Sequence, residues 1–307
     1  MSSVLNSSKF SNRNFSVSVI VPTFRELLNL PELYSRLSPL KNEFLDLECI
    51  IVDDNSSDGT EAWWESLPDE DRLWFRLIVR KDERGLSTAV IRGLQEAKND
   101  VLIVMDADLS HPPEKIPEIC DELVLANRDM VIGSRYVKGG KIEEAWSFFR
   151  WINSKVATWM ARPFTRAKDP MSGFFALRRD SFLKSAPLSP IGYKIGLELI
   201  VKADLENVAE VPIYFSDRKK GSSKLNLKEQ LNYLRHLRRL ANYKFGNWSY
   251  FAQFGFVGGI GVFTNLLSLS ILDWLGSPLE WAIAISIWIS MTGNFVLNRW
   301  ITFSHER

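Results

Sequence analysis

Two aspartates separated by one residue, Asp106 and Asp108, follow the apolar run Val101–Met105. Like charges this close at the end of a buried strand repel, and a bound divalent cation removes the conflict. Mg2+ or Mn2+ takes oxygen ligands and is held by one or two carboxylates together with substrate phosphates. Further acids stand in Asp53-Asp54-Asn55-Ser56-Ser57-Asp58-Gly59-Thr60 and in Pro22-Thr23-Phe24-Arg25-Glu26. Taken singly, such residues also end strands and cap helices: Asp58-Gly59 makes a good turn, and Ser57 or Asp58 a good N-cap. Cys49 and Cys120 are isolated, lack metal-ligand spacing and read as small buried hydrophobes.

The elements that must position these acids are short and regularly spaced. Strands are expected over Val17–Val21, Leu47–Val52, Phe75–Val79, Val101–Met105 and Met130–Ile132, with helices over Asn29–Leu37, Gly59–Leu67, Leu86–Ala97 and Pro113–Ala126. The strand runs are nearly continuous in Val, Ile and Leu, the pattern of strands buried on both faces of a mainly parallel sheet. The alternation makes this an α/β chain, doubly wound and Rossmann-like. Ligands of such sheets bind beyond the carboxyl ends of the strands. The first, second and fourth runs all lead into the acidic loops, so three carboxylate-bearing loops collect at one edge.

Charge divides the chain differently. The total is 38 Lys+Arg against 37 Asp+Glu, a net +1, which gives no reason to expect a nucleic-acid binder. Yet Ser216–Asn247 holds nine basic residues and two acids, a net +7, and the rest of the chain holds 29 basic and 35 acidic residues, a net −6. Two charge-free stretches follow the basic segment, Phe245–Leu272 of 28 residues and Trp281–Asn298 of 18 residues. Each reaches the roughly 17–25 residues that cross a bilayer. The connector between them holds only Asp273 and Glu280 as charges. By the positive-inside rule the catalytic part and both termini face the cytoplasm. The N-terminal residues are Ser- and Asn-rich, with no apolar core of signal-peptide length.

The motifs together resemble family 2 glycosyltransferases of the dolichol- or polyprenol-phosphate mannose synthase type. The matching strings are Pro22-Thr23-Phe24-Arg25-Glu26, Val52-Asp53-Asp54-Asn55-Ser56-Ser57-Asp58-Gly59-Thr60, Arg84-Gly85-Leu86, Asp106-Ala107-Asp108-Leu109-Ser110-His111-Pro112-Pro113-Glu114 and Gly133-Ser134-Arg135-Tyr136. Further along come Ser172-Gly173-Phe174-Phe175, Val211-Pro212-Ile213, Arg218 and Gly221-Ser222-Ser223-Lys224-Leu225. The resemblance covers about Val17 to Leu227. It implies a GT-A fold and transfer of one mannose from GDP-mannose to a polyprenyl phosphate with inversion. The alternative is glucose from UDP-glucose; the string around Lys224 and Phe174-Phe175 favour mannose. A processive polysaccharide synthase would carry Gln-x-x-Arg-Trp, which does not occur here, and a catalytically dead membrane subunit would lack the carboxylates.

By the same resemblance, Pro22, Thr23, Glu26 and Asp53 hold the nucleobase and ribose, and Asp106 and Asp108 hold the Mg2+ or Mn2+. Where the family often has Gln this chain has Ser110, short enough that a bridging water fits there better than direct ligation. Arg135, Arg150, Ser154, Arg218 and Lys224 match positions around the phosphates, where guanidinium forks and ammonium groups suit the chemistry. Arg162, Arg166, Arg178 and Arg179 read as surface charges. A lipid monophosphate is already largely dianionic at neutral pH, so no general base is obligatory. Asp169 matches an acidic residue on the acceptor side, with the role of positioning the acceptor or its basic ligands. Asp108, Arg135 and Asp169 are thus the catalytic set.

The divisions expected are a polar tail over 1–15, the transferase domain over 16–224, a basic amphipathic segment over 225–246 and a two-span membrane domain over 247–303. In the basic segment Leu227, Leu231, Leu234, Leu237 and Ala241 recur at helical spacing among Lys228, Arg235, Arg238 and Arg239. Such a helix lies in the bilayer interface or packs on the catalytic domain with its basic face solvated. The membrane part resembles a GtrA-like domain shortened from four spans to two. Gly255, Gly258, Gly259 and Gly261 allow close helix approach, including self-association of the chain.

Overall fold

The computed structural model describes residues 13–142, 148–192, 194–215 and 227–302. Its strands are β1 (Arg13–Thr23), β2 (Phe44–Asp53), β3 (Phe75–Val79), β4 (Val101–Val104), β5 (Met130–Ser134), β6 (Lys141–Ile142), β7 (Phe175–Arg178), β8 (Val208–Pro212) and β9 (Tyr214–Phe215). Seven form one sheet in the order β3-β2-β1-β4-β7-β5-β8, while β6 and β9 pair as a separate parallel ribbon. Strand β7 runs antiparallel to both neighbours, β4 and β5, and the other pairings in the large sheet are parallel. This is the mainly parallel mixed sheet of the GT-A type.

Continuous apolar runs produce this sheet because successive side chains point to opposite faces. Val17, Val19, Val21, Cys49, Ile51 and Ile103 enter one apolar cluster. Their neighbours Ile20, Ile50, Val52, Leu102 and Val104 enter the other. Both faces are therefore covered, as the run composition predicts. Cys49 and Cys120 are buried free thiols, and burial pushes both up from the usual thiol range.

Helices Leu30–Leu37, Thr60–Glu65, Leu86–Glu96 and Ile116–Leu125 stand where the sequence places them, the last preceded by a tight turn at Pro113–Lys115. Helix Leu86–Glu96 lies especially close to the sheet. A Cβ on Gly93 would overlap the Ile20 side chain, so glycine sets that approach. The helix thereby begins beside the carboxyl ends of β1 and β2.

The chain divides into two units, Met1–Leu237 and Arg238–Arg307, with the boundary inside helix Leu227–Phe245. In the first unit, Tyr233 donates to the Ala157 carbonyl at 2.7 Å, and His236 Nδ1 accepts the Ile191 N–H at 3.3 Å. His236 and Leu237 are buried, whereas Leu231 and Leu234 are exposed. The apolar stripe expected along this helix is thus split between a packed face and an open one.

In the second unit, helices Asn247–Trp274 and Leu279–Trp300 pair with each other. At about 1.5 Å per residue they span roughly 42 and 33 Å, enough for a hydrocarbon core of about 30 Å. Ser290 Oγ donates to the Gly261 carbonyl at 2.7 Å, and a Cβ on Gly261 would overlap Asn294. A Cβ on Gly255, Gly258 or Gly259 would meet nothing within 4 Å. Close approach between the two spans therefore falls on Gly261. Arg238 caps the second span, donating from Nη1 to the carbonyls of Trp300 and Ile301 at 3.1 and 2.7 Å.

Candidate active site

The loops after β1, β2 and β4 meet at the carboxyl edge of the sheet, and they carry the acids that the sequence singles out. Thr23 Oγ1 donates to Asp53 Oδ1 at 3.1 Å, and the Ser56 N–H donates to Asp53 Oδ2 at 2.8 Å. Ser56 Oγ also bonds to Asp53 at 2.5 Å and accepts the Arg25 N–H at 2.8 Å. Asp53, almost fully buried, therefore fastens two loops together. Asp58 ties the turn that its place before Gly59 suggests: its oxygens accept from Thr60 N–H and Oγ1 and from Leu27 N–H. Burial opposes its charge, yet these bonds hold the carboxyl below its usual range.

Glu26 accepts from Asn29 Nδ2 at 2.6 Å, and its carbonyl accepts the Asn29 N–H at the start of the next helix. Pro22 lines a pocket with Asp106, Ser172, Gly173 and Lys194. Arg25, Asn55, Ser57 and Leu109 have φ of 61°, 54°, 52° and 60°. Among the described residues these are four of six non-glycine positions in the left-handed region, and such strain collects at ligand sites.

Asp106 and Asp108 stand at the end of β4 as expected. Ser110 donates to Asp108 Oδ1 from Oγ at 2.6 Å and from its N–H at 3.1 Å, so its hydroxyl shapes the aspartate. The Asp106 side chain is 29% exposed, and a Cβ on Gly173 would sit 3.3 Å from both its oxygens. Among the described residues no group of three or more His, Cys, Asp or Glu forms a closed metal centre. The Asp106 carboxylate, which lines a pocket, with Asp108 buried two residues on, instead fits a hard cation that completes its shell with substrate phosphates and water.

Arg135 and Asp169 form a bidentate pair. Arg135 Nε and Nη2 donate to Asp169 Oδ2 and Oδ1 at 2.8 and 2.7 Å, and the Arg135 N–H adds a third bond at 3.0 Å. Burial works against the guanidinium charge, but the bonds and charge of Asp169 outweigh it and hold its pKa above the usual value. Asp169 is fully buried, and its own N–H donates to Glu210 of β8. Ser154 Oγ bonds to the Tyr136 hydroxyl at 2.6 Å, next to this pair in sequence. The Arg150 side chain, Arg218 and Lys224 lie outside the described residues.

Three features of the site lie outside the residues to which the sequence assigns a role. Lys194 lines the pocket, and burial, followed by the nearby Arg135 charge, brings its ammonium down to about 8 against the pull of Asp169, Asp106 and Glu229. Asp54 and Arg80 form a buried pair that also binds Gly85: the Gly85 N–H donates to Asp54 Oδ2 at 2.7 Å and Arg80 Nη2 to the Gly85 carbonyl at 3.0 Å. Phe24, 44% exposed, carries the guanidiniums of Arg25 and Arg84 against its ring at 5.2 and 5.5 Å. Phe24, Asp54 and Gly85 stand inside motif strings that the sequence displays, whereas Lys194 and Arg80 stand in none.

Residues 18–185 match the glycosyl transferase family 2 model, and residues 253–307 match the GtrA/DPMS transmembrane domain. The chain is 43% identical over 296 residues to a dolichol-phosphate mannosyltransferase of Pyrococcus furiosus, covering 95% of this chain and 82% of that protein. It is 41% identical over 238 residues to the Saccharomyces cerevisiae dolichol-phosphate mannosyltransferase, covering 75% and 88%. Among solved structures, Mycobacterium tuberculosis glucosyl-3-phosphoglycerate synthase in complex with Mn2+, UDP and glucosyl-3-phosphoglycerate aligns with a TM-score of 0.56 at 20% identity. That alignment covers 75% of this chain and 80% of the other, and it supports the fold.

Proposed function

Because the chain belongs to glycosyl transferase family 2 and carries a GtrA/DPMS transmembrane domain, we propose that it transfers mannose from GDP-mannose to a polyprenyl phosphate with inversion. The observation that carries this reading is a set of opposite charges at one pocket: Asp106 and Lys194 both line it, and the charges of Arg135 and Asp169 act there. Such a site suits polyphosphate chemistry, where anions must be gripped at a point that also holds a cation.

A divalent cation, Mg2+ or Mn2+, held by Asp106 and Asp108 would neutralise charge on the donor diphosphate. Around it, the chain's own residues bind and orient. Phe24 offers a face for the base, and Pro22, Thr23, Glu26 and Asp53 shape the nucleoside end. Arg135, fixed in plane by Asp169, presents its guanidinium to phosphate, and Lys194 adds an ammonium from the pocket wall. Arg150, Ser154, Arg218 and Lys224 complete the phosphate contacts. An oxygen of the acceptor phosphate attacks the anomeric carbon from the face opposite the nucleotide. The bond from that carbon to the β-phosphate oxygen breaks, and its electron pair leaves with GDP. No proton has to move, because the acceptor is already a dianion.

The chain is a membrane protein, and we place the transferase domain and both termini on the cytoplasmic side. The net +7 of Ser216–Asn247 supports that orientation. Exposed tryptophans at both ends of the spans, Trp248 and Trp300 at one and Trp274 and Trp281 at the other, suit the two membrane interfaces. The divisions at 16–224, 225–246 and 247–303 and self-association through the spans belong to the same proposal.

The donor is tested with the full chain in membranes, polyprenyl phosphate, and labelled GDP-mannose, UDP-glucose and UDP-N-acetylglucosamine supplied separately. Organic-extractable β-linked mannose from GDP-mannose is expected. Label carried only from a UDP sugar would contradict the mannose reading.

A further inference from the structure

Asp106 is held by its backbone, through a side chain that takes no part in the phosphate contacts. His111, buried in the same loop, accepts the Asp106 N–H on Nδ1 at 3.2 Å. A neutral imidazole accepts on one nitrogen and carries its proton on the other, so the proton sits on Nε2. Nδ1 also lies 3.6 Å from Asp106 Oδ2, and with its single lone pair taken by the backbone N–H it brings no proton to that oxygen. Among the described residues no hydrogen-bond donor reaches either Asp106 carboxylate oxygen. An imidazole protonated on Nδ1, or an amine in its place, would share that carboxylate with a cation and weaken it as a ligand.

The ring is fixed from both sides. It stacks on Phe174 with centroids 5.3 Å apart and meets Phe215 of β9 edge-on at 5.5 Å. Phe215 in turn carries the Arg135 guanidinium at 5.1 Å. One line of contacts therefore joins Asp106, His111, Phe215, Arg135 and Asp169.

We infer that His111 is a positioning residue for the cation site: its Nδ1 holds the Asp106 backbone while leaving the carboxylate to the cation, and its ring keeps this loop aligned with Arg135. The inference rests on Asp106 being a cation ligand. Partners of this kind change metal affinity by about 10–100-fold when removed.

Asparagine and glutamine separate this role from packing, because the Asn Oδ1 sits near the place of Nδ1 and the Gln Oε1 near that of Nε2. Mn2+ binding to the full chain in detergent with GDP is followed by electron paramagnetic resonance. His111→Gln is expected to weaken Mn2+ binding roughly 10-fold or more, and His111→Asn to recover most of the wild-type affinity. Wild-type binding in His111→Gln, or equal loss in both variants with unchanged thermal unfolding, would overturn the role. Mn2+ binding unchanged in Asp106→Ala would instead overturn the cation reading on which the role stands.

Should both His111 variants fail to fold, the tautomer decides. The chain has three histidines. In 15N-histidine protein lacking His236 and His305, a proton on Nε2 alone supports the role, and a proton on Nδ1 overturns it.

Discussion

In the proposed mechanism Asp169 acts through Arg135. Its two oxygens take both arms of the guanidinium, and it is itself buried and held by Glu210. Asp169→Asn keeps one acceptor and turns an amide N–H2 toward the guanidinium, so Arg135 loses its fixed plane. Small misplacements of such groups cost about 100-fold, and a fall of that order in kcat with little change in fold is expected from initial-rate kinetics. Near-full turnover would remove the residue from the mechanism. Lys194 gives the pH dependence. Its ammonium, brought down to about 8 by burial and Arg135, is charged below that pH and neutral above it. The KM for the nucleotide sugar should therefore rise as pH passes from about 7 to 9, and Lys194→Arg should flatten that rise. A KM that stays level in the wild type would mean that Lys194 does not meet the phosphates.

At the scale of elements, helix Leu86–Glu96 sets the depth of the pocket by how closely it lies on β1. Gly93→Val places a branched side chain against Ile20 and Val52. Overpacking of this kind costs about 1–3 kcal/mol, while removing glycine from the helix returns only about 0.5 kcal/mol. Chemical denaturation is expected to show net destabilisation, and an unchanged midpoint would mean that the helix shifts to make room. The same helix illustrates what a sequence makes legible. Its apolar spacing predicts its ends to within a residue, and the five apolar runs form β1 to β5 because burial on both faces leaves a recognisable composition. Strands β7 and β8 leave a weaker mark in the sequence. Phe175–Arg178 runs straight into the helix Arg179–Leu183 with no turn residue between them, and Val208–Pro212 mixes Ala and Glu into its run. The acids at strand ends were readable from motif and position. Lys194, Arg80 and the contact of His111 with Asp106 were not, because each depends on which loops meet in space. The exposure of Leu231 and Leu234 likewise follows from packing on one side of the helix, which periodicity alone does not locate.

For the whole molecule, the net charge of +1 is a sum over regions with different surroundings. The +7 of Ser216–Asn247 precedes two apolar helices bordered by tryptophans, and the −6 of the remainder includes the carboxylates of the active-site loops. In the proposed mechanism a basic segment beside anionic headgroups and a carboxylate pair holding a cation serve one activity, transfer onto a lipid phosphate. The most direct measurement is organic-extractable label formed from GDP-[14C]mannose and polyprenyl phosphate by the purified full chain, with and without chelator, in wild type and Asp108→Ala. The expected result is lipid-linked mannose from the wild type that is lost on chelation, restored by added Mg2+ or Mn2+, and absent in Asp108→Ala. Equal label with chelator present, or undiminished label from Asp108→Ala, would contradict the account.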